Sequence, residues 1–216
     1  MVSGDKRRRK PQRAQPTGFD EDASSRFAAR VLHETGVPGA VVGRYAIWAW
    51  VPLQRQAMTK DLDLAVAVQN TPFVRAFLER ASLLNRVLTI GGVNARHEAT
   101  GVNVDFIDRS NREWGDLSAL YAEAIAAAYE TGLVYSFHDV TLPLAPPEYI
   151  VVMKLATQEH DDEKDAKSLL MSDEAQVGID IVRDIVTRHV PLLRATLERV
   201  LREIGHPLAV PAPDLK

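Results

Sequence analysis

The sequence predicts an α+β protein: a mixed-sheet core flanked by helices, followed by a C-terminal helical bundle. Three observations carry this. Short apolar segments with strand character recur between helical patterns up to about residue 143. After Pro146-Pro147 only helical spacing appears. The stretch Lys60 to Val68 reads as a buried strand that opens on two carboxylates, Asp61 and Asp63.

Residues 1–18 are charged, rich in Pro and Gln, and lack apolar periodicity, so a disordered basic tail is expected. Asp20, Glu21 and Asp22 place negative charge at a helix start. Phe27, Val31 and Leu32 form its stripe, Gly36 stops it, and His33 reads as a surface histidine. A short strand at Ala40-Val41-Val42 precedes a buried helix from Tyr45 to Val51, which Pro52 ends. Trp48 belongs to the core in this reading. Residues 53–60 form a loop with Arg55, Thr59 and Lys60, and the aspartate strand follows. Thr71 is expected to cap a helix over 72–84. A third strand is expected over 87–90, then a hairpin with arms 94–98 and 102–107. A helix over 114–129 and a strand pair around 133–142 complete the core.

The helical half has its first helix after Pro146-Pro147, carrying Lys154 among apolar neighbours. Helices over 161–171, 174–189 and 191–204 follow, the second capped by Ser172 and Asp173. The expected organisation is a tail over 1–18, a core over 19–143, a helical region over 144–206 packed on it, and a tail over 207–216. There is no internal repeat.

The chain has 216 residues, enough for a sizeable core, and an ordinary apolar share of 46%. No apolar run approaches a membrane span, and no hydrophobic segment follows the basic N-terminus. Cysteine is absent, which excludes disulfides, thiolate nucleophiles and cysteine zinc sites and fits a cytoplasmic setting. The net charge of −3 hides an asymmetry. Lys6, Arg7, Arg8, Arg9, Lys10 and Arg13 against Asp5 give residues 1–18 a charge of +5, leaving −8 on the rest. An acidic body is a poor general nucleic-acid binder, so any RNA-binding role falls to the tail.

Asp61 and Asp63 share one face of their strand, with side chains roughly 6.5–7 Å apart at Cβ. Ionised, they repel, so either open water or a cation belongs between them. Asp105 is a third carboxylate, in the middle of an otherwise apolar strand, where burial is costly unless it is paired or metal-bound. Three convergent carboxylates suit Mg²⁺ or Mn²⁺, which take oxygen ligands and leave room for substrate phosphates. His160-Asp161-Asp162-Glu163 reads as the solvated acidic first turn of a helix. Lys154 reads as either a phosphate ligand or a snorkelling boundary lysine. Gly91-Gly92 is no dinucleotide fingerprint, and neither a P-loop nor a Ser-His-Asp order is present.

Several motifs occur in a telling order: Val41-Val42-Gly43-Arg44-Tyr45-Ala46, Arg55, Thr59-Lys60-Asp61-Leu62-Asp63-Leu64 and Val104-Asp105-Phe106-Ile107. Together they resemble the nucleotidyltransferase superfamily of the polymerase-beta type. Residues 142–156 and the pair Lys164-Asp165 resemble its AbiEii-like branch. The resemblance covers about residues 37–170. It implies a nucleotidyltransferase-like fold and transfer of a nucleoside monophosphate from an NTP to a hydroxyl acceptor, RNA or protein. It also implies catalytic metal held by Asp61, Asp63 and Asp105, and nucleotide contacts at Gly43, Arg44, Lys60 and Lys154. Arg55, Lys164 and Asp165 are additional candidates. The branch implies a toxin–antitoxin or phage-defence setting with a cognate antitoxin as partner. Arg44 stands where the family has a small residue, and Ser168 where the branch has a second Asp. These departures keep an alternative open, a weakly active or inactive relative used for binding or regulation.

Overall fold

The computed structural model describes residues 19–52 and 58–209. Arg55, the tail over 1–18 and the last seven residues of the C-terminal tail lie outside them. Helix α1 (Glu21–Thr35) starts on Asp20, whose carboxylate accepts from the Ala23 N–H at 2.8 Å, and ends on left-handed Gly36. Strand β1 (Gly39–Val41) leads into α2 (Gly43–Trp50), and β2 (Leu62–Val66) into α3 (Thr71–Arg80). Then come β3 (Leu84–Val87), β4 (Gly92–His97), β5 (Val102–Ile107), α4 (Ser118–Thr131), β6 (Val134–Phe137) and β7 (Val140–Pro143). Four helices follow: α5 (Pro147–Ala156), α6 (His160–Leu170), α7 (Ile179–His189) and α8 (Arg194–Glu203). The expected α+β class holds.

The main sheet has the order β1-β2-β5-β4-β3. Strand β2 runs parallel to β5 and antiparallel to β1, and β4 is antiparallel to both β5 and β3, so the sheet is mixed. The β6-β7 hairpin touches it through a bridge between Val41 and Leu144. Side chains alternate across the sheet with a period of two. Leu62, Leu64, Val66, Val104 and Phe106 lie on one face and are fully buried. Helix α1 covers this face at β1, where Leu32 packs so closely on Gly39 that a Cβ there would meet it at 3.0 Å. The opposite face carries Asp63, Ala65, Asp105 and Ile107, directly paired across β2 and β5.

Local expectations failed mainly at element ends. Thr71 is the first residue of α3 rather than its cap, and its hydroxyl donates to Asp108 Oδ2 at 2.7 Å. Helix α3 stops at Arg80, because Leu84 pairs with Ala95 and starts β3 earlier than expected. Of the strand expected over 87–90 only Val87 lies in β3, and 88–90 are the turn beyond it, closed by Gly91 N–H to Leu88 O. Periodicity alone assigned Leu84 to the helix, whereas strand pairing claims it. Asp116 accepts from the Ser118 N–H, so α4 starts four residues later than expected. Ser172 donates to the Trp50 carbonyl and accepts from Ala175 N–H, which holds 172–178 as a turn before α7.

Helix α5 is apolar nearly all round and packs against α2, α4, α6 and α7. It thereby links the sheet to the C-terminal helices. Leu64 sits at the centre of the core, fully buried between β1 and β5. Leu64→Ala is expected to cost about 2–5 kcal/mol. Urea unfolding checks this, and a loss below about 1 kcal/mol contradicts the central place given to this face.

Candidate active site

The parallel register sets Asp63 directly beside Asp105 on one face, with Asp61 just before β2. One carboxylate oxygen from each lies within 4.8 Å of the other two. Among the described residues this is the one group of three or more His, Cys, Asp or Glu placed to share a metal ion. Each flanking carboxylate is steered. The Thr59 hydroxyl donates to Asp61 Oδ1 at 3.0 Å. Asn94, 2% exposed, sits opposite Asp105 on β4 and its amide donates to Asp105 Oδ1. Asn94 is itself fixed by accepting from Asn85 and donating to Asn103. Sequence reasoning passed over Asn94. A buried Asn in an apolar strand facing an Asp was its only trace.

Asp63 is crowded. Burial pushes its carboxyl well above the usual carboxylate range, Asp61 and Asp105 push it further, and Lys154 opposes them. Burial also raises Asp105, and the Asn94 hydrogen bond works against that. The backbone around Asp63 is equally tight. Gly43, at φ +63°, opens α2 against it, and a Cβ on Gly43 would lie 2.0 Å from Asp63 Oδ2. No L-residue fits that position without moving the aspartate. The preceding Val42 N–H donates to the Asp63 carbonyl at 3.0 Å. Val42 has no side-chain cap to offer, so the first turn of α2 begins uncapped beside the carboxylates.

A second layer of charge lies behind the triad. Lys154 on α5 contacts Asp162 Oδ1 and, at 3.0 Å, Asp165 Oδ2, both on α6. Arg44 reaches the same Asp165 oxygen at 3.3 Å and the Met58 carbonyl at 2.9 Å. The side chains of Lys154, Asp162 and Asp165 are only 11%, 16% and 11% exposed. Lys154 is therefore neither a snorkelling residue nor a free cation. The two carboxylates raise its pKa despite burial. Asp162 corrects the reading of 160–163 as a solvated turn. Asp161 does face water, but Asp162, one residue on, turns inward to Lys154. The i, i+3 spacing of Asp162 and Asp165 was the available signal.

Other expected residues fall elsewhere. Lys60 is exposed, and its carbonyl rather than its side chain is bonded, by the Asn103 amide at 2.8 Å. Lys164 is exposed and pairs with Asp161. Gly43, Arg44, Lys154 and Asp165 are brought together with the triad, and Lys60 and Lys164 are not. A hollow of about 440 Å³ is lined by Leu32, His33, Val37, Tyr129 and Pro143 and lies apart from these groups.

The triad fits a hard divalent cation on its own chemistry. It is an all-oxygen donor set, converging within bonding reach of one ion, with a mutual repulsion that such an ion would relieve. That repulsion has a measurable sign. Asp63 is raised in the folded chain, so its contribution to stability is complete below the ordinary carboxylate range and is lost as pH climbs through the raised value. The metal-free chain should therefore lose more stability between pH 4.5 and 8 than Asp63→Asn does. Thermal melts across that range should show a gap in favour of the variant that widens with pH. Parallel curves would contradict the crowding of Asp63.

No protein-family model matches the chain, and no curated protein matches it. Several solved structures are distantly similar, two of which follow. One is an antigenic nucleotidyltransferase-like protein from Paracoccidioides brasiliensis, 16% identical, with a TM-score of 0.44 over 85% of this chain and 94% of that one. The other is the antibiotic-resistance factor ANT(2'')-Ia, 15% identical, with a TM-score of 0.43 over 86% of this chain and 95% of that one.

Proposed function

We propose that the chain is a divalent-metal-dependent nucleotidyltransferase. It would move a nucleoside monophosphate from an NTP to a hydroxyl acceptor. The observation that carries this reading is the convergence of Asp61, Asp63 and Asp105 beside a glycine that only a bare backbone can fill. The sequence resemblance points to the same residues.

The roles follow from position. Asp61, Asp63 and Asp105 would hold Mg²⁺ or Mn²⁺, which neutralises the triphosphate and the leaving pyrophosphate when bound. Gly43 leaves space for phosphate oxygens next to Asp63, and the uncapped N–H groups of α2 favour an anion there. Asp105, held by Asn94, takes the proton from the acceptor hydroxyl. The acceptor oxygen then bonds to the α-phosphorus, the bond from that phosphorus to the bridging oxygen breaks, and pyrophosphate leaves with the electron pair. Lys154 lies close enough to act on the field at Asp63 and would face the donor phosphates. Arg44 supports the same region through Asp165.

The acceptor class, RNA or protein, and a cognate antitoxin as partner follow from the resemblance. A cytoplasmic setting is proposed from the absence of cysteine. No helix among the described residues is long and apolar enough to cross a membrane. One observation favours the second reading, a binding or regulatory protein: Arg44 and Lys154 already have carboxylate partners.

Incubation with labelled ATP, CTP, GTP or UTP, Mg²⁺ or Mn²⁺, and total RNA or protein separates the two. Transfer should occur with the wild type and fall on the order of 10²–10³-fold in Asp63→Asn. Metal-dependent NTP binding without transfer supports the binding protein. Neither binding nor transfer sinks both.

A further inference from the structure

We propose that Asp162 is an exchangeable counter-ion for Lys154: it holds the ammonium while the site is empty and gives it up to donor phosphates. This rests on the nucleotidyl-transfer reading and makes Asp162 a positioning residue, acting through Lys154. The geometry separates the two carboxylates that share the ammonium. Asp165 is committed on two sides, to Lys154 and to Arg44. Among the described residues, the one hydrogen-bond partner of the Asp162 side chain is Lys154. Asp165 is thus the fixed partner and Asp162 the replaceable one.

Charge gives the exchange its purpose. Arg44, Lys154 and Asp165 together carry one net positive charge, and Asp162 brings the group to zero. A buried ammonium left with excess charge would be drawn toward the nearby triad, whose field it already shares at Asp63. Asp162 prevents that while no donor is present. When Asp162 turns out to water, the group regains one positive charge at the moment a polyanion arrives. The movement requires only a rotamer change. The backbone of α6 is anchored independently by the next residue, Glu163, which pairs with Lys167 and Arg199.

The test uses the full chain and an amine-acylating reagent, with mass spectrometry reading the labelling rate of Lys154. In the wild type Lys154 should label slowly. Asp162→Asn should raise its rate about tenfold, as expected for loss of an ion pair worth about one pKa unit. Asp162→Glu should restore slow labelling, and Asp161→Asn, which alters an exposed neighbour paired with Lys164, should leave Lys154 unchanged. Lys167, half-buried and paired with Glu163, serves as an internal control, since unfolding would raise its rate as well. With Mg²⁺ added, inorganic triphosphate should protect Lys154 in Asp162→Asn at several-fold lower concentration than in the wild type. Equal labelling of wild type and Asp162→Asn overturns the proposal. Equal protection in both, or protection in neither, overturns the exchange. If these contrasts appear while no NTP supports transfer, the transfer reading fails and the counter-ion role stands.

Discussion

The structure depends on a repulsion. Register places Asp63 and Asp105 side by side on a parallel strand pair, with Asp61 next to them. Like charges this close resist joint ionisation, and burial makes the penalty larger. The surroundings relieve the penalty without removing any carboxylate. Thr59 and Asn94 each give a hydrogen bond to one flanking aspartate. Gly43 gives Asp63 the space that any side chain would take. These concessions make sense only if all three charges are wanted together.

The helical half extends the same logic. Helix α5 is buried on almost every side, yet it carries Lys154, and α6 supplies the two carboxylates that keep that lysine charged. Such an arrangement needs a rigid frame, and a second charged cluster provides it. Glu123 on α4 accepts from Tyr149 on α5 and from Arg188 and His189 on α7, which holds its carboxyl down to about 2. Three helices are thereby joined at one carboxylate that stays ionised across the ordinary pH range. The site and its frame use opposite electrostatics: carboxylates crowded without a cation in one, a carboxylate ringed by donors in the other.

Much of this was legible in the sequence, and the failures have physical causes. Asp61 and Asp63 stood out because the period of two puts both on one strand face, and Asp105 because a carboxylate in an otherwise apolar strand is costly to bury unpaired. Gly43 stood out through its place in a motif, although its contact with Asp63 is purely tertiary. Strand and helix types came mostly right because their apolar periods differ. Boundaries came wrong where tertiary bonds decided them, as at Leu84, which strand pairing took from a helix pattern, and at Ser172, which bonds Trp50 across the fold. Asp162 was misread for a related reason. At the first turn of a helix a carboxylate is favoured by the dipole alone, so its presence carries no sign of an inward partner. Lys60 and Lys164 lie exposed, since a motif position fixes the backbone but not where a long side chain goes.

The charges around the site lead to one further step. Asp61, Asp63, Asp105, Asp162 and Asp165 stand against Arg44, Lys154 and Arg86, so five carboxylates meet three cations and leave an excess of two negative charges at full ionisation. On the proposed transfer reading, a polyanionic donor would be repelled by that charge. One divalent cation would bring the sum to zero, and a second would make it positive. The protein's own cations would then not suffice to recruit the donor, and a metal ion would have to arrive before it or with it. The raised Asp63 and the occupied Lys154 are then two consequences of one design. The triad is short of positive charge, and Arg44 and Lys154 are kept neutralised beside it.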